Sequence, residues 1–266
     1  GYEKHRIIKE DSSPSDLGVF GIQTLFDRRL LSPNEISALL VVTQTPDYFL
    51  PSTSAVIQGR LGLGCDVLCM DQTQACAGFI TGLIQGFMML ENPAVNKVVM
   101  VNIDTMSRKT SKQDRNSYPI IGDAASVTVL ERSEIPCRIC FDYSIYGEKR
   151  EALMVPAGAF KTPSSEETAR IVDADGDGNL RSLENLTMNG SAVFNFVQKE
   201  VPPMVDDLLN YAGYTKDEID WYLFHQPNKF MLEKLADRLG VPRGKMPNNV
   251  VSNYGNSSGV TIPVNI

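Results

Sequence analysis

The chain alternates short, almost wholly apolar runs with longer segments in which apolar positions recur at helical spacing. The apolar runs predict buried strands, because a strand that is covered on both faces shows no polar side. In the first half we expect such strands at 39–42, 65–71, 97–104 and 125–131. Helices are predicted between them, at 52–62 with an N-cap serine and a closing glycine, and at 77–91. The alternation predicts an α/β protein with a buried sheet.

The pattern breaks between about 132 and 187 and then resumes. A strand-like run at 137–147 is followed by loop-rich sequence. Beyond it the spacing of apolar residues predicts helices at 189–211 and 227–239, and strands at 219–225 and 249–253.

The two halves carry a weak internal repeat. An acidic start, a strand and a polar stop with Gln and Pro occur at 34–46 and again at 217–227, and each is followed by a helix ending in Arg-Leu-Gly. With an offset of about 180 residues, Cys76 stands opposite Asn256. The repeat predicts duplicated βαβ halves, a first over about 1–132 and a second over about 188–266, separated by an insertion over about 133–187.

Three reactive side chains, Cys76, His225 and Asn256, lie at the predicted carboxyl edge of the strands, where ligands of such sheets bind. They form a candidate active site. Cys76 is expected at the N-terminus of a buried helix, where the helix dipole lowers a thiol pKa from roughly 8.5. Gly82 and Gly86 in that helix predict close packing against another helix, the one after Asn256. The other interpretation of Cys76 is a small buried apolar residue.

Composition narrows the class of protein. With 266 residues, 42% of them hydrophobic and 21% charged, the chain has material for a sizeable core. A net charge of -7 argues against nucleic acid as the main partner. No apolar run reaches the roughly 18 residues of a membrane span, and no signal peptide is evident, so we expect a cytoplasmic protein. Five cysteines do not indicate a disulfide framework.

Three motifs resemble those of the β-ketoacyl-[acyl carrier protein] synthase III family: 75-ACAGF-79, 225-HQPN-228 and 254-YGNSSG-259. Further similar pieces, in the same order, are Gly1–Ile7, Arg115–Ser126, 155–158 and 188–196. The resemblance spans nearly the whole chain. It implies a thiolase-like α/β fold, with duplicated βαβ halves in a layered α-β-α-β-α arrangement, and a homodimer.

The resemblance implies an acyltransferase that performs a decarboxylative Claisen condensation. Cys76 would take an acyl group from acyl-CoA, and malonyl-[acyl carrier protein] would then lose carbon dioxide. His225 and Asn256 would donate hydrogen bonds to the thioester oxygen as the enolate forms. Attack on acyl-Cys76 would give a β-ketoacyl thioester, the first step of fatty acid biosynthesis.

Other residues take their expected roles from the same resemblance. Arg115 matches an arginine that contacts CoA, and Phe194 is expected to shape the substrate pocket. Because the acyl carrier protein is acidic, its docking face should be basic, and we expect Lys229 and Arg238 to belong to that face. The chain departs from the family in three places: Phe230 replaces an arginine, and both family termini, including a glycine-rich final strand, are absent from the sequence.

Two alternatives remain open. One is a condensing enzyme or acyltransferase of secondary-metabolite or surface-lipid synthesis, which uses the same chemistry. The other is a protein of a different class, a non-catalytic or calcium-binding subunit. The run 173-DADGDGNLRSLE-184 matches the EF-hand calcium loop in its acidic positions, its glycine and its final glutamate. No amphipathic helix precedes Asp173 and no second copy exists, so an acidic turn is the other interpretation. We expect no metal and no cofactor, the CoA thioester being a substrate.

Overall fold

The structure, a computed structural model, describes residues 3–135 and 137–266. Residues 1, 2 and 136 lie outside it, and with them the start of the predicted match at Gly1–Ile7. The described chain divides into two units. The sheet unit comprises Arg6–Met106, Gly122–Cys137 and Asn256–Ile266, and the helical unit comprises the chain up to His5, Ser107–Ile121 and Arg138–Gly255. The units interleave along the chain, and the predicted boundaries near 132 and 187 stay predictions.

The four predicted strands of the first half pair into one sheet. They are β1 (Ile36–Val42), β2 (Leu68–Gln72), β3 (Lys97–Asp104) and β4 (Ala124–Glu131), in the order β2-β1-β3-β4. β1 runs parallel to β2 and β3, whereas β4 is antiparallel to β3. Every residue of β3 after Lys97 is buried, as the apolar run predicts for a strand covered on both faces.

Helices cover both faces of this sheet. Alternate residues of a strand point to opposite faces, so Leu39 and Val41 join one apolar cluster while Leu40 and Val42 join another. The first cluster is closed by α1 (Pro14–Asp27) and α2 (Thr53–Leu61), and the second by α3 (Gly78–Leu90). The sheet unit is therefore a three-layer α/β/α arrangement, and α2 and α3 confirm the helices predicted at 52–62 and 77–91.

The N-cap predicted for α2 is present. The Ser52 hydroxyl accepts a hydrogen bond from the Ala55 N–H at 3.3 Å, and Gly62 ends the helix in the left-handed region at φ 63°. Replacing Ser52 by alanine leaves that N–H without its cap, and we expect the free energy of unfolding to fall by about 1 kcal/mol. Urea unfolding measures this, with Ser52→Asp, which keeps a cap, as the control. Equal losses in both variants would contradict the capping role.

The glycines of α3 pack against the sheet and not against a helix. A Cβ on Gly82 would lie 2.5 Å from the Met100 sulfur, and one on Gly86 would overlap the Leu130 side chain. The prediction of helix–helix packing at these positions is wrong. The two glycines let α3 lie directly on β1, β3 and β4, because they carry no side chain that would hold the helix away from the sheet. The apolar residues that flank them in the sequence pack in the same contact.

The helical unit contains α4 (Glu166–Ala169), α5 (Gly190–Ala212), α6 (Lys229–Leu239) and α7 (Asn249–Tyr254). It also holds two pairs of two-residue antiparallel strands: β5 (Leu153–Met154) with β8 (Thr187–Met188), and β6 (Val172–Asp173) with β7 (Leu180–Arg181). α5 and α6 confirm the predicted helices and share an apolar cluster. α6 begins at an Asn228 cap, and it ends at left-handed Gly240 as α2 ends at Gly62, which is the Arg-Leu-Gly ending that the repeat predicts. No described helix combines the length and apolarity needed to cross a membrane.

The strand-like run of the insertion and the two predicted strands of the second half are wrong. In the described chain, 137–147 and 219–225 form no strand, and 249–253 lies in α7. The Tyr222 N–H bonds to the Lys245 carbonyl at 2.8 Å, but no ladder forms along 219–225. An apolar run predicts burial or extension, whereas a strand also needs a neighbour to pair with, and short apolar runs fit helices equally well.

Candidate active site

Cys76 lies in a 3₁₀ turn, Ala75–Ala77, that leads directly into α3. The residue before it, Ala75, has a φ of 49°, a conformation that non-glycine residues rarely adopt, so the turn is tightly constrained. Cys76 is half-buried and its thiol is free. The predicted placement of the thiol at the start of an apolar helix is confirmed.

Burial dominates the acidity of this thiol. Burial raises the pKa of Cys76 to about 11, a hydrogen bond from Ser258 lowers it, and the Asp104 carboxylate nearby raises it further. The predicted lowering of the thiol pKa is wrong. The unfavourable free energy of removing a thiolate from water exceeds its favourable interaction with the start of the helix. The thiol is therefore protonated at neutral pH and must pass its proton to another group before it acts as a nucleophile.

The Asn256–Gly259 turn lies directly against the start of α3. The Ser258 Oγ is 3.9 Å from the Cys76 sulfur. A Cβ added to Gly259 would lie 2.8 Å from the Ala75 carbonyl oxygen, so this approach requires a glycine. The Asn256 side-chain oxygen accepts the Ser258 N–H at 3.0 Å, which leaves the amide nitrogen of Asn256 as its donor. The structure thus brings the predicted cysteine and asparagine motifs together.

A buried carboxylate, Asp104, adjoins this turn. The Gln44 N–H donates to Asp104 Oδ1 at 2.9 Å, and the Gln44 side-chain amide donates to Asp104 Oδ2 at 3.2 Å and to the Ser258 hydroxyl at 2.7 Å. Asp104 is 4% exposed. Burial raises its pKa to about 6, although the hydrogen bonds from Gln44 and Ser258 oppose the rise. Sequence reasoning missed Asp104, and the available signal was an acidic residue ending a buried strand at the ligand-binding edge.

His225 belongs to the helical unit, where it immediately precedes the capping turn of α6. It is half-buried. Its neighbour Gln226 is wholly buried and ties this segment to α7, because its amide donates to the Pro247 carbonyl at 2.9 Å and accepts the Val251 N–H at 3.0 Å. Cys76 and Asn256 lie in the sheet unit, and the predicted convergence of His225 with them stays a prediction.

Arg115 is exposed and is held by the acidic loop. Its guanidinium donates to the Asp177 carbonyl at 2.6 Å, and its N–H donates to the Asn179 side chain at 3.2 Å. A nearly buried ion pair between Arg181 and Asp114, 3.3 Å long, joins the same two segments. The loop therefore fixes the backbone and the side chain of Arg115.

The carboxylates of the EF-hand-like loop are engaged within the protein. Asp173 accepts the N–H groups of Gly176 and Gly178, and Glu184 accepts the hydroxyls of Ser164 and Thr168. In the part of the chain that the structure describes, no three carboxylate, thiol or imidazole groups form a metal-binding cluster.

Phe194 and the two predicted docking cations lie in the helical unit. Phe194 is half-buried near the start of α5 and stacks on Phe230, with ring centroids 5.8 Å apart. Lys229 and Arg238 are exposed on α6, and no described acidic group forms an ion pair with either. Arg243, by contrast, pairs with Asp237 at 2.8 Å.

Two family sequence profiles match the chain. The profile of 3-oxoacyl-[acyl-carrier-protein (ACP)] synthase III matches residues 70–146, and the profile of the C-terminal part of that enzyme matches residues 209–266. The first span includes Cys76 and Arg115, and the second includes His225 and Asn256.

Whole-chain comparisons agree with these profiles. A β-ketoacyl-[acyl-carrier-protein] synthase III of Clostridium perfringens is 30% identical over 262 residues, which cover 98% of this chain and 77% of the relative. One from Synechococcus elongatus is 32% identical over 252 residues, covering 95% of this chain and 72% of the relative.

Solved structures extend the similarity to the fold. A crystal structure of 3-oxoacyl-(acyl-carrier-protein) synthase III superposes with a TM-score of 0.92 at 30% identity, covering 98% of this chain and 77% of that one. The priming β-ketosynthase of the R1128 polyketide biosynthetic pathway gives a TM-score of 0.78 at 25% identity, covering 98% and 74%. The chain therefore spans about three quarters of the length of these proteins.

Proposed function

Because the chain belongs to the β-ketoacyl-[acyl carrier protein] synthase III family of condensing acyltransferases and has its thiolase-like α/β fold, we propose that it joins an acyl group to malonyl-[acyl carrier protein] through an acyl-Cys76 intermediate. The observation that supports this most directly is the free thiol at the start of α3 with the Asn256–Gly259 turn packed against it. A purely structural cysteine needs no such polar turn beside its sulfur.

In the first half-reaction the Cys76 sulfur attacks the carbonyl carbon of acyl-CoA. The new carbon–sulfur bond forms, the bond to the CoA sulfur breaks, and the acyl group stays on the protein. A covalent intermediate divides one difficult condensation into two easier steps. Ala77 after Cys76 is exposed and Gly78 carries no side chain, so neither residue adds bulk on the approach to the sulfur.

In the second half-reaction malonyl-[acyl carrier protein] loses carbon dioxide and the resulting carbanion attacks acyl-Cys76. We assign His225 and Asn256 as donors to the thioester oxygen, where negative charge develops. A donor already aimed at such charge is worth roughly 3 kcal/mol of transition-state stabilisation. The amide nitrogen of Asn256 suits this role because its side-chain oxygen is already used by the Ser258 N–H.

The decisive experiment is the intact mass of the protein before and after incubation with a panel of acyl-CoAs of increasing chain length. We expect the mass to rise by one acyl group, and peptide mapping to place that group on Cys76. The exposed Cys65 serves as an internal control for non-specific acylation. Absence of acylation at Cys76 with every member of the panel contradicts the proposal.

We assign Arg115 to contact with CoA and Phe194 to the substrate pocket. The loop that contains Asp173–Glu184 would then hold Arg115 in place, which accounts for its hydrogen bonds without a bound calcium ion. Calcium titration followed by circular dichroism tests whether this loop holds its structure without calcium. Saturable calcium binding at one site would contradict a calcium-free role.

Lys229 and Arg238 are assigned to carrier-protein docking. Because these cations have no described ion-pair partner, they are available to an acidic protein, and Lys229→Glu with Arg238→Glu is expected to raise the KM for malonyl-[acyl carrier protein] about tenfold. The rate of Cys76 acylation by acyl-CoA should not change. The matched control is Lys199→Glu, at a lysine 79% exposed on α5. An equal KM in all three proteins would remove Lys229 and Arg238 from the docking face.

A specialised condensing enzyme is the second candidate, favoured by the similarity to a polyketide priming synthase. The acyl-CoA panel separates the two, since strong selection for an unusual or long acyl group favours a specialised pathway over fatty acid initiation.

We further propose a cytoplasmic homodimer. All five cysteines are free, in keeping with a reducing compartment. β2 lies at the edge of the sheet with Leu68 half exposed, and the unpaired backbone groups of such an edge offer a surface on which a second chain can pair.

A further inference from the structure

The backbone of Asn256 is held by a neighbouring segment of the sheet unit. The Gly122 N–H donates to the Asn256 carbonyl at 3.0 Å. The side-chain oxygen of Asn256 accepts the Ser258 N–H, also at 3.0 Å. Asn256 is therefore fixed at two points, and the direction of its amide nitrogen depends on where Gly122 lies.

Asp123 fixes the segment that contains Gly122. Its own N–H donates to the Arg6 carbonyl at 2.6 Å, and its side-chain Oδ2 accepts the Ile8 N–H at 2.9 Å. One residue thus ties 122–123 to 6–8 through both its backbone and its side chain. Asp123 is 5% exposed, so water competes little for these hydrogen bonds.

These segments meet at the edge of the sheet where the candidate active site lies. β4 begins at Ala124, directly after Asp123, and Ala124 pairs with Asp104 at the carboxyl end of β3. Residues 258–261 contact both β3 and β4. Ligands of α/β sheets bind at this edge, so Asp123 stands beside the turn that carries Asn256 and close to the place of reaction.

We propose that Asp123 is a positioning residue for the second half-reaction: by fixing Gly122 it aims the Asn256 amide at the oxygen where negative charge develops. The proposal rests on the proposed function and extends it to a residue that needs no contact with either thioester.

A hydrogen-bond donor stabilises a transition state fully only if it already points at the developing charge. A misplacement of about 1 Å can lower a rate roughly 100-fold. Asn256 is half-buried, whereas Ser257 and Ser258 are 1% and 6% exposed. The accessible amide is therefore carried by a buried turn, and the hydrogen bond from Gly122 supports that turn at the residue that carries the amide.

A purely structural role for Asp123 makes a different prediction. Loss of a buried carboxylate that joins two segments would weaken the sheet unit as a whole, and Cys76 belongs to the same unit. Both half-reactions would then slow together. A positioning role slows only the half-reaction that uses the Asn256 amide, so the ratio of the two rates separates the roles.

Intact mass spectrometry measures both half-reactions on the same protein. The gain of an acyl group from acyl-CoA gives the acylation rate, and its loss from the acylated protein after addition of malonyl-[acyl carrier protein] gives the transfer rate. We expect Asp123→Ala to acylate within about twofold of the wild-type rate and to transfer about tenfold or more slowly. Asp123→Asn keeps a side-chain oxygen that can accept the Ile8 N–H, and it should keep most of the transfer rate.

A double-mutant cycle shows whether Asp123 acts through Asn256. Asn256→Ala alone should slow transfer by roughly 100-fold or more. If Asp123 acts by aiming that amide, adding Asp123→Ala to Asn256→Ala should change transfer by about twofold at most. A further loss in the double variant as large as the loss in Asp123→Ala alone rules out action through Asn256.

Asp47→Ala is the matched control. Asp47 also lies in the sheet unit and joins two segments, because it accepts the Ser15 N–H at 2.9 Å. This variant should keep the wild-type ratio of transfer to acylation, and a fall in the ratio as large as that of Asp123→Ala would overturn the specific role of Asp123. Ile8→Pro removes the same hydrogen bond from its other side, and it carries the test if Asp123→Ala does not fold.

Equal slowing of both half-reactions in Asp123→Ala, or slowing of neither, contradicts the positioning role. Failure of the proposed function has a different signature, because the wild type then gains no acyl group from any acyl-CoA, and the positioning role falls with it. Failure of the positioning role alone leaves both half-reactions of the wild type intact.

Discussion

Cys76→Ser is expected to abolish the mass increase produced by acyl-CoA and to lower the condensation rate by a factor on the order of 10⁴ or more. The hydroxyl of serine is a far weaker acid than a thiol, and the burial that raises the pKa of Cys76 to about 11 would disfavour an alkoxide still more. The measurement is the intact mass with the acyl-CoA that labels the wild type best, together with release of CoA.

The fold should tolerate this change, because serine is smaller than cysteine and can share a hydrogen bond with the adjacent Ser258 hydroxyl. Cys65→Ser, at an exposed cysteine, is the matched control and should acylate normally. An acyl adduct retained by Cys76→Ser, or one lost in Cys65→Ser, contradicts the assignment of the nucleophile.

The first half of the chain was predictable because its signals are local. The run at 97–104 is apolar throughout and became β3 with the same bounds, and the serine and glycine that bracket 52–62 became the two ends of α2. Strands buried on both faces and helices with both ends marked need no information from distant residues. The motif at 75–79 likewise placed the thiol at the start of α3.

The second half was less predictable because its errors concern pairing. The run at 219–225 is apolar and extended in the sequence pattern, yet in the described chain no neighbouring segment forms a ladder with it. The short run at 249–253 contains only two adjacent valines and became part of α7. Pairing depends on what lies beside a segment, which periodicity along that segment does not contain.

The pKa of Cys76 could not be predicted from the sequence motifs, because it too depends on residues that are distant along the chain. The helix-end argument considers Cys76 alone, whereas its pKa is set first by burial and then by Ser258 and Asp104. These residues lie about 180 and 28 positions along the chain from Cys76. Only the fold brings them together, and the weak sequence signal for Asp104 was its place at the end of a buried strand.

The wild type is expected to become less stable as the pH rises, because the buried Asp104 carboxyl then ionises. Asp104→Asn has no group to ionise there and should not show this decrease. A carboxyl with a pKa of about 6 in the folded protein and 3.8 when free keeps its proton more readily in the folded state. Its contribution to stability is fully present below about pH 4 and is lost as the pH rises through about 6. The difference corresponds to about 3 kcal/mol, so the variant should gain about that much relative to the wild type between pH 4 and pH 7.5.

Urea unfolding at a series of pH values, followed by far-UV circular dichroism, measures this difference. Ser258→Ala is the control, because it keeps the buried carboxyl and removes a hydrogen bond that lowers the pKa of Asp104, and so should lose at least as much stability with rising pH as the wild type. A difference between Asp104→Asn and wild type that does not change with pH contradicts the burial of an ionisable carboxyl.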